Sequence, residues 1–416
     1  MLLLSIESSA DETGISLLDA DGDFPHATYT IHGSALSSQM KEHNKWGGIV
    51  PSIAKREHAK YFPILLEEAA TQAELLELHP TDLSDQDKTK LQELLVREEG
   101  LADALIGFCA QYSLPKIDLI AVTSGPGLEP ALWVGVSFAK ALAYITGANV
   151  IPTNHMEGHI LASVYDVERD DMLSDIEFPA VALLISGGHT ELINMSNWGT
   201  YDKVGQTRDD AVGEAFDKVA RLLGLPYPGG PEISRLAAAA RKADLPEFEA
   251  LPRPMLYSGD LDFSFSGLKT AVRYAVQDKV NCEARQGESA SAERRSPGGE
   301  GALGCQELTD DQKAAVARDF EDAVTQTLLK KTSTAVANTG AKTLIVGGGV
   351  SANGFIKRAF ESHFLHEHPD CTVYFPTPSL ATDNSIMIAL AGHARAVGAL
   401  SPGGAEGIQA DGNKSL

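Results

Sequence analysis

The feature that most restricts the fold of this chain is a strand–turn–strand unit that occurs twice. Leu2-Leu3-Leu4-Ser5-Ile6 is an apolar run of strand length that turns through Glu7-Ser8-Ser9-Ala10-Asp11-Glu12-Thr13 into a second run, Gly14-Ile15-Ser16-Leu17-Leu18. Val181-Ala182-Leu183-Leu184-Ile185 repeats the pattern about 180 residues later, turning through Ser186-Gly187-Gly188-His189-Thr190 into Glu191-Leu192-Ile193. Each unit is followed by strands that feed helices. Leu119-Ile120-Ala121-Val122 leads through Ser124-Gly125-Pro126-Gly127 into a helix expected from Pro130 to Tyr144, and Lys342-Thr343-Leu344-Ile345-Val346 leads through Gly347-Gly348-Gly349 into another. The expected fold class is therefore α/β, with duplicated lobes around a central cleft and a parallel or mixed sheet in each.

Length supports two lobes, because 416 residues with 43% hydrophobic content exceed what one core of roughly 250 to 300 residues holds. The expected boundaries are 1–150 for the N-terminal lobe, 151–395 for the C-terminal lobe and 396–416 for a tail. Two stretches read as insertions. Residues 80–100 are charged and helix-prone, with few apolar side chains beyond Leu91, Leu94 and Leu95. Residues 281–306 carry almost no aliphatic side chain, so burial there cannot offset the entropy of ordering, and the tail after Pro402 has the same character.

Composition narrows the compartment and the chemistry. No basic region precedes the first apolar run, and no apolar stretch reaches the roughly 18 to 20 residues of a membrane helix, so a soluble cytoplasmic protein is expected. Cys109, Cys282, Cys305 and Cys371 have no C-x-x-C spacing, which argues against a thiolate zinc site and a dithiol redox site. A net charge of −23 excludes nucleic-acid binding through the whole surface, so an RNA substrate requires a local basic patch or a partner.

His155-Met156-Glu157-Gly158-His159 places two imidazoles on one helical face, where both can reach one metal ion, while Glu157 points away. The acid is one place too late for the H-E-x-x-H of zinc peptidases. Two histidines at this spacing are, taken alone, more often structural. Asp383, in a turn after the strand-like Thr372-Val373-Tyr374-Phe375, is the best third ligand; its bland alternative is to cap a helix starting near Asn384. Ser186-Gly187-Gly188, Tyr227-Pro228-Gly229-Gly230-Pro231 and Gly347-Gly348-Gly349 through Asn353 are glycine turns that let backbone N–H groups approach phosphate, although none is a Walker A loop. Asp217 and Lys218 fall on the polar side of an amphipathic helix and read as a solvated face. The stretch from Asp262 to Lys269 has no reading from first principles.

In order and spacing, Glu7 to Thr13, Gly47-Gly48-Ile49-Val50-Pro51, His155 to His159, Ser186 to Thr190, Asp262 to Lys269, Gly348 to Asn353 and Thr382-Asp383-Asn384 resemble the motif series of the TsaD family of tRNA N6-adenosine threonylcarbamoyltransferases, once described as O-sialoglycoprotein endopeptidases. The resemblance spans nearly the whole chain apart from the insertions and the tail. It implies an actin/Hsp70/sugar-kinase-like fold and transfer of threonylcarbamoyl from threonylcarbamoyl-AMP to N6 of the adenosine beside the anticodon. It further implies a divalent metal, Fe2+ or Zn2+, on His155, His159 and Asp383, and donor contacts from Leu184, Ile185, Ser186, Gly187, Gly188, Asp217, Gly230 and Asn353. Asp11 and Glu12 would border the cleft, either one a candidate proton acceptor. Implied partners are tRNA, an inactive TsaB-like paralogue and a TsaE-like P-loop ATPase. Pro51 to His58 is closer to the bacterial and organellar branch. The family commonly has cysteine where Ala10 stands, so no thiol is essential there. The alternative reading is an ATP-dependent phosphotransferase of the same fold, with Mg2+ at Asp11; the paired histidines speak against it, since imidazole suits Mg2+ poorly.

Overall fold

A computed structural model describes residues 1–167, 171–277, 308–397 and 407–416. The expected insertion at 281–306 lies outside the described residues, as does part of the tail. Two sheets organise the chain. In the first, β1 (Leu2–Glu7) pairs antiparallel with β2 (Glu12–Asp21), which pairs antiparallel with β3 (Thr28–Ser38). On its other side β1 runs parallel to β4 (Leu119–Gly125), and β4 parallel to β5 (Asn149–Asn154). Short strands β6 (Tyr165–Asp166) and β7 (Met172–Leu173) extend the β3 edge.

The second sheet repeats this plan. β8 (Ala180–Ile185), β9 (Thr190–Asn197) and β10 (Thr200–Gln206) are antiparallel neighbours, while β11 (Thr343–Gly347) and β12 (Thr372–Tyr374) add in parallel on the other side of β8. Strand order and direction match from β5-β4-β1-β2-β3 to β12-β11-β8-β9-β10. The duplication expected from the two hairpins thus extends to five strands in each lobe of a two-lobed α/β architecture. Residues of β4, β8 and β11 are buried throughout, because helices cover both faces of each sheet and leave no solvent side to alternate toward.

On the outer face of the first sheet, α1 (Met40–Asn44) leads into α2 (Pro51–Gln72), which packs with α4 (Leu101–Cys109) and α5 (Glu129–Thr146) around Phe62, Leu66 and Phe138. The charged segment at 80–100 forms α3 (Asp85–Leu94), started by a Ser84/Asp87 capping box, and sinks Leu91 and Leu95 into the same core. Between the sheets lie α6 (His155–Val164) and α12 (Ser385–Ala396), packed in one core with Leu3, Leu18, Ala182, Leu184 and Ile345 from both sheets. Gly392 permits that contact: a Cβ there would sit 2.4 Å from Ala121 Cβ. The outer face of the second sheet carries α7 (Val212–Leu222), α8 (Gly229–Lys242), α9 (266–277), α10 (Asp310–Thr339) and α11 (Gly354–Glu367).

One expectation is corrected. Residues 407–416 of the tail pack against the first lobe, with Ile408 4% exposed in its core, although the local composition argues against order. Two apolar side chains, Ile408 in that core and Leu416 against the core between the sheets, suffice because the surrounding backbone supplies hydrogen-bond partners for the rest. Cys109 and Cys371 are free and buried, and burial pushes both thiols up to about 11, as expected of inert cysteines.

His58 of α2 pins the first turn. Its Nε2 donates to the Ala10 carbonyl at 3.1 Å, so Nδ1 is left to accept from the Thr13 hydroxyl at 2.8 Å. Burial pushes this imidazole down to about 4. Below its ordinary value of 6.5 the unfolded chain takes a proton that the fold refuses. His58 therefore contributes stability above pH 6.5 that is lost as pH falls toward 4, about 3 kcal/mol in full. Urea denaturation at pH 7 and pH 4.5 should show a shallower pH dependence in His58→Gln than in the wild type; equal slopes would contradict this assignment.

Candidate active site and metal centre

The turns at the strand ends of both lobes converge on a cleft of about 1020 Å³. The first lobe contributes the acidic tip Ser9 to Glu12 and the turn Pro126-Gly127-Leu128. From the second come Ser186 to His189, Asp217, Tyr227 to Pro231 and the segment from Gly349 to Asn353. His155, Thr382 and Asp383 line it where the two inter-sheet helices begin.

Asn154 starts α6, accepting from the Met156 and Glu157 N–H groups at 2.9 and 3.4 Å. His155 and His159 follow one turn apart, with ring centroids separated by 4.7 Å. Asn384, not Asp383, caps α12, accepting from Met387 N at 3.0 Å. The capping alternative for Asp383 is thereby replaced: its carboxylate faces the histidines, with Oδ1 3.4 Å from His155 Nε2 and 3.1 Å from His159 Nε2. One donor atom from each of the three residues lies within 4.8 Å of the others.

The donor set fits a divalent metal. His159 Nε2 is buried and makes no hydrogen bond despite the nearby carboxylate, which leaves a lone pair in need of a partner. His155 Nδ1 lies 3.3 Å from Glu7 Oε2, so its proton is held there and Nε2 is turned toward Asp383. Glu7 is itself fixed, accepting from Ser9 N at 2.6 Å and from the Thr123 hydroxyl at 2.5 Å. Burial alone would raise this carboxyl, but His155 beside it holds it below the ordinary range. Burial opposes ionisation of Asp383 too, and His155 and His159 outweigh it strongly. Two imidazoles and one carboxylate suit Fe2+ or Zn2+ and leave coordination positions open. Glu157, also fully buried, points away as expected: it accepts from Tyr201 OH at 2.8 Å and from Arg395 Nε at 3.0 Å, tying α6 to β10 and α12.

The remaining residues singled out in the sequence divide. Ser186, Gly187, Gly188, Asp217, Gly230 and Asn353 all line the cleft. Leu184 and Ile185 do not; both are fully buried in β8, and Leu184 packs between the sheets. Asp217 departs from the solvated-face reading, because α8 packs across α7 and shields it: it lines the cleft, accepts from Gly229 N at 2.7 Å, and burial raises its carboxyl. Lys218 keeps that reading, paired with Asp210 and Glu214 at 2.8 Å each. Asn353 caps α11 through Phe355 N and Ile356 N and donates to Glu321 at 2.7 Å. In the stretch from Asp262 onward, Asp262 accepts from Gln206 N and from Arg208, and Asp209 accepts from the hydroxyls of Ser264 and Ser266.

Asp11 and Glu12 sit opposite, on the first-lobe turn. Burial raises both carboxyls, Glu12 well above its ordinary value because Asp11 and Asp383 add their charge. A carboxylate tuned upward in a cleft is suited to accept a proton near neutral pH. Glu7 and Asn154 escaped sequence reasoning as site residues. An Asn immediately before a helix was a legible cap signal, whereas nothing local in Glu7 announces its histidine partner.

The chain matches the family model described as TsaD, tRNA N6-adenosine threonylcarbamoyltransferase, over residues 30–84 and 101–390, with a break that spans α3. It is 40% identical to the tRNA N6-adenosine threonylcarbamoyltransferase of Chromobacterium violaceum over 396 residues, covering 95% of this chain and 93% of that one. The enzyme of the same name from Burkholderia mallei is 41% identical, covering 95% and 92%. Among solved structures, a ROK family glucokinase from Streptomyces griseus aligns over 94% of this chain and 98% of its own, at 12% identity and a TM-score of 0.38. On its family match and these relatives, the chain belongs to the tRNA N6-adenosine threonylcarbamoyltransferases, transferases that act on N6 of adenosine in tRNA.

Proposed function

We propose that the cleft binds threonylcarbamoyl-AMP and presents its carbamoyl carbon to N6 of the adenosine beside the anticodon, at the metal-bearing end of α6. The observation that carries this reading is the convergence of His155, His159 and Asp383 on the cleft that the glycine turns also line. His155, His159 and Asp383 would hold the ion, Fe2+ or Zn2+, with Glu7 fixing the His155 tautomer. When bound, it supplies a Lewis acid for the donor's carbonyl.

The chain's own groups do the rest. The Ser186 N–H is taken by the His189 carbonyl at 2.9 Å, so N–H groups of Gly187 and Gly188 and the start of α8 at Gly230 would offer donors for the phosphate, and neither Gly188 nor Gly230 has any atom within 4 Å of where a Cβ would be. Asp217, which lines the same cleft, would accept from the ribose hydroxyls. In transfer, N6 forms a bond to the carbamoyl carbon, the bond from that carbon to the phosphate oxygen breaks, and AMP leaves with the electron pair. The N6 proton passes to a carboxylate that lines the cleft, Glu12 or Asp11.

Labelled-threonine transfer from threonylcarbamoyl-AMP to tRNA tests the reading. Glu12→Gln should lower kcat by about a hundredfold with little change in KM for the donor. Unchanged turnover would reassign the proton to Asp11 or to water. No transfer in the wild type, with phosphorylation of a small hydroxyl compound from ATP, would favour the phosphotransferase; the imidazole pair is a poor Mg2+ site and counts against it. A TsaB-like paralogue and a TsaE-like ATPase belong to the same proposal, because a chain of net charge −23 gains from a composite surface to grip RNA. A cytoplasmic location fits a tRNA substrate, and no helix among the described residues is long and apolar enough to cross a membrane.

A further inference from the structure

The last described stretch, 407–416, runs along the rim of the cleft on the first lobe. Ile408 anchors it in the core, and Lys140 Nζ donates to the Ile408 carbonyl at 2.9 Å. Beyond that anchor the backbone lies against the turn between β4 and α5. Asp411 N donates to the Ser124 carbonyl at 2.8 Å, Gly127 N to the Gly412 carbonyl at 3.1 Å, and Lys414 Nζ to the Ser124 hydroxyl at 2.8 Å. The approach requires glycine: Gly125 has φ +149°, and a Cβ there would lie 2.0 Å from the Asp411 carbonyl oxygen. Gly412 becomes part of the cleft wall beside Pro126 and Leu128.

The segment also reaches the metal-bearing helix. Asn154 Nδ2 donates to the Ser415 carbonyl at 3.0 Å, while Oδ1 of the same amide caps α6. An amide has one face that accepts and one that donates, so the Ser415 carbonyl selects the orientation in which Asn154 can cap. His155 is the first residue of the helix so capped.

We propose that residues 411–416 are a positioning strap of the active site: Ser415 locks the Asn154 cap and with it the setting of His155, and Gly412 completes the cleft wall against the donor. The strap rests on the reading of the cleft as a metal and donor site. Its residues touch neither the ion nor the reacting atoms, and act through Asn154 and the Pro126 turn.

Two variants of the full chain test it. Deletion of 411–416 keeps the Ile408 anchor, and Asn154→Ser keeps a good capping side chain too short to reach Ser415. Metal-free protein is titrated with Co2+ against a competing chelator, its visible absorption is recorded, and KM and kcat for transfer are measured. Both variants should bind Co2+ about tenfold more weakly with a shifted absorption band, and the deletion alone should raise KM for the donor. Wild-type Co2+ affinity and absorption in both variants would overturn the strap, as would faster transfer after deletion, which would mark the segment as an obstruction. If the deleted chain fails to fold, Asn154→Ser decides by the Co2+ readout. Wild-type protein that binds no Co2+ overturns the metal reading and the strap with it, whereas Co2+ binding without transfer removes only the assigned reaction.

Discussion

A His155→Ala/His159→Ala double variant should fold, retain no metal and lose transfer by about a thousandfold, or ~4 kcal/mol of transition-state stabilisation. Folding should survive because alanine is the best helix former and the cap at Asn154 is untouched. The two vacated volumes lie at the cleft end of the inter-sheet core rather than at its centre, so far-UV circular dichroism should be unchanged. Metal analysis of the protein as isolated should give about one ion per chain in the wild type and none in the variant. Transfer at the wild-type rate in a metal-free variant would sink the metal mechanism. Asp383 left facing two alanines would lose the partners that hold it ionised, which is a second reason for the site to fail as a unit.

Glu7→Gln should weaken metal binding by about ten- to a hundredfold without removing any ligand. Glu7 accepts on both oxygens, from Ser9 N on one and from Thr123 and His155 on the other. A glutamine amide must turn an N–H toward one of these donors. If it faces His155, the imidazole is driven to carry its proton on Nε2, where the lone pair is needed. Competition with a chelator measures the loss directly, and a transfer assay at saturating metal should recover most of the activity. A Glu7→Gln protein with wild-type metal affinity would show that packing alone orients His155.

Much of the site was legible along the chain. The two hairpins implied duplicated lobes, and helical spacing placed His155 and His159 on one face and Glu157 off it. Glu7 shows where that legibility ends: it lies 148 residues from His155, and their contact exists because β1 and β5 flank β4 in one sheet. Asp217 read as a solvent-facing charge since periodicity describes a helix alone, before α8 packs across it and leaves its carboxylate half-buried on the cleft wall. The segment at 407–416 read as unable to order because composition counts what a stretch can bury by itself. Its partners at Ser124, Gly127 and Asn154 belong to a different part of the chain.

By itself, then, the sequence determined what is local: the strand and helix periods, the glycine turns at the strand ends, and ligand chemistry written at i and i+4. Tertiary structure alone decided which turns share a cleft, which carboxylate faces the histidines, which proton each imidazole keeps, and which carboxyls are raised. Those outcomes depend on distance and on exclusion of water between residues remote in the chain, and neither quantity exists until the two sheets close on α6 and α12.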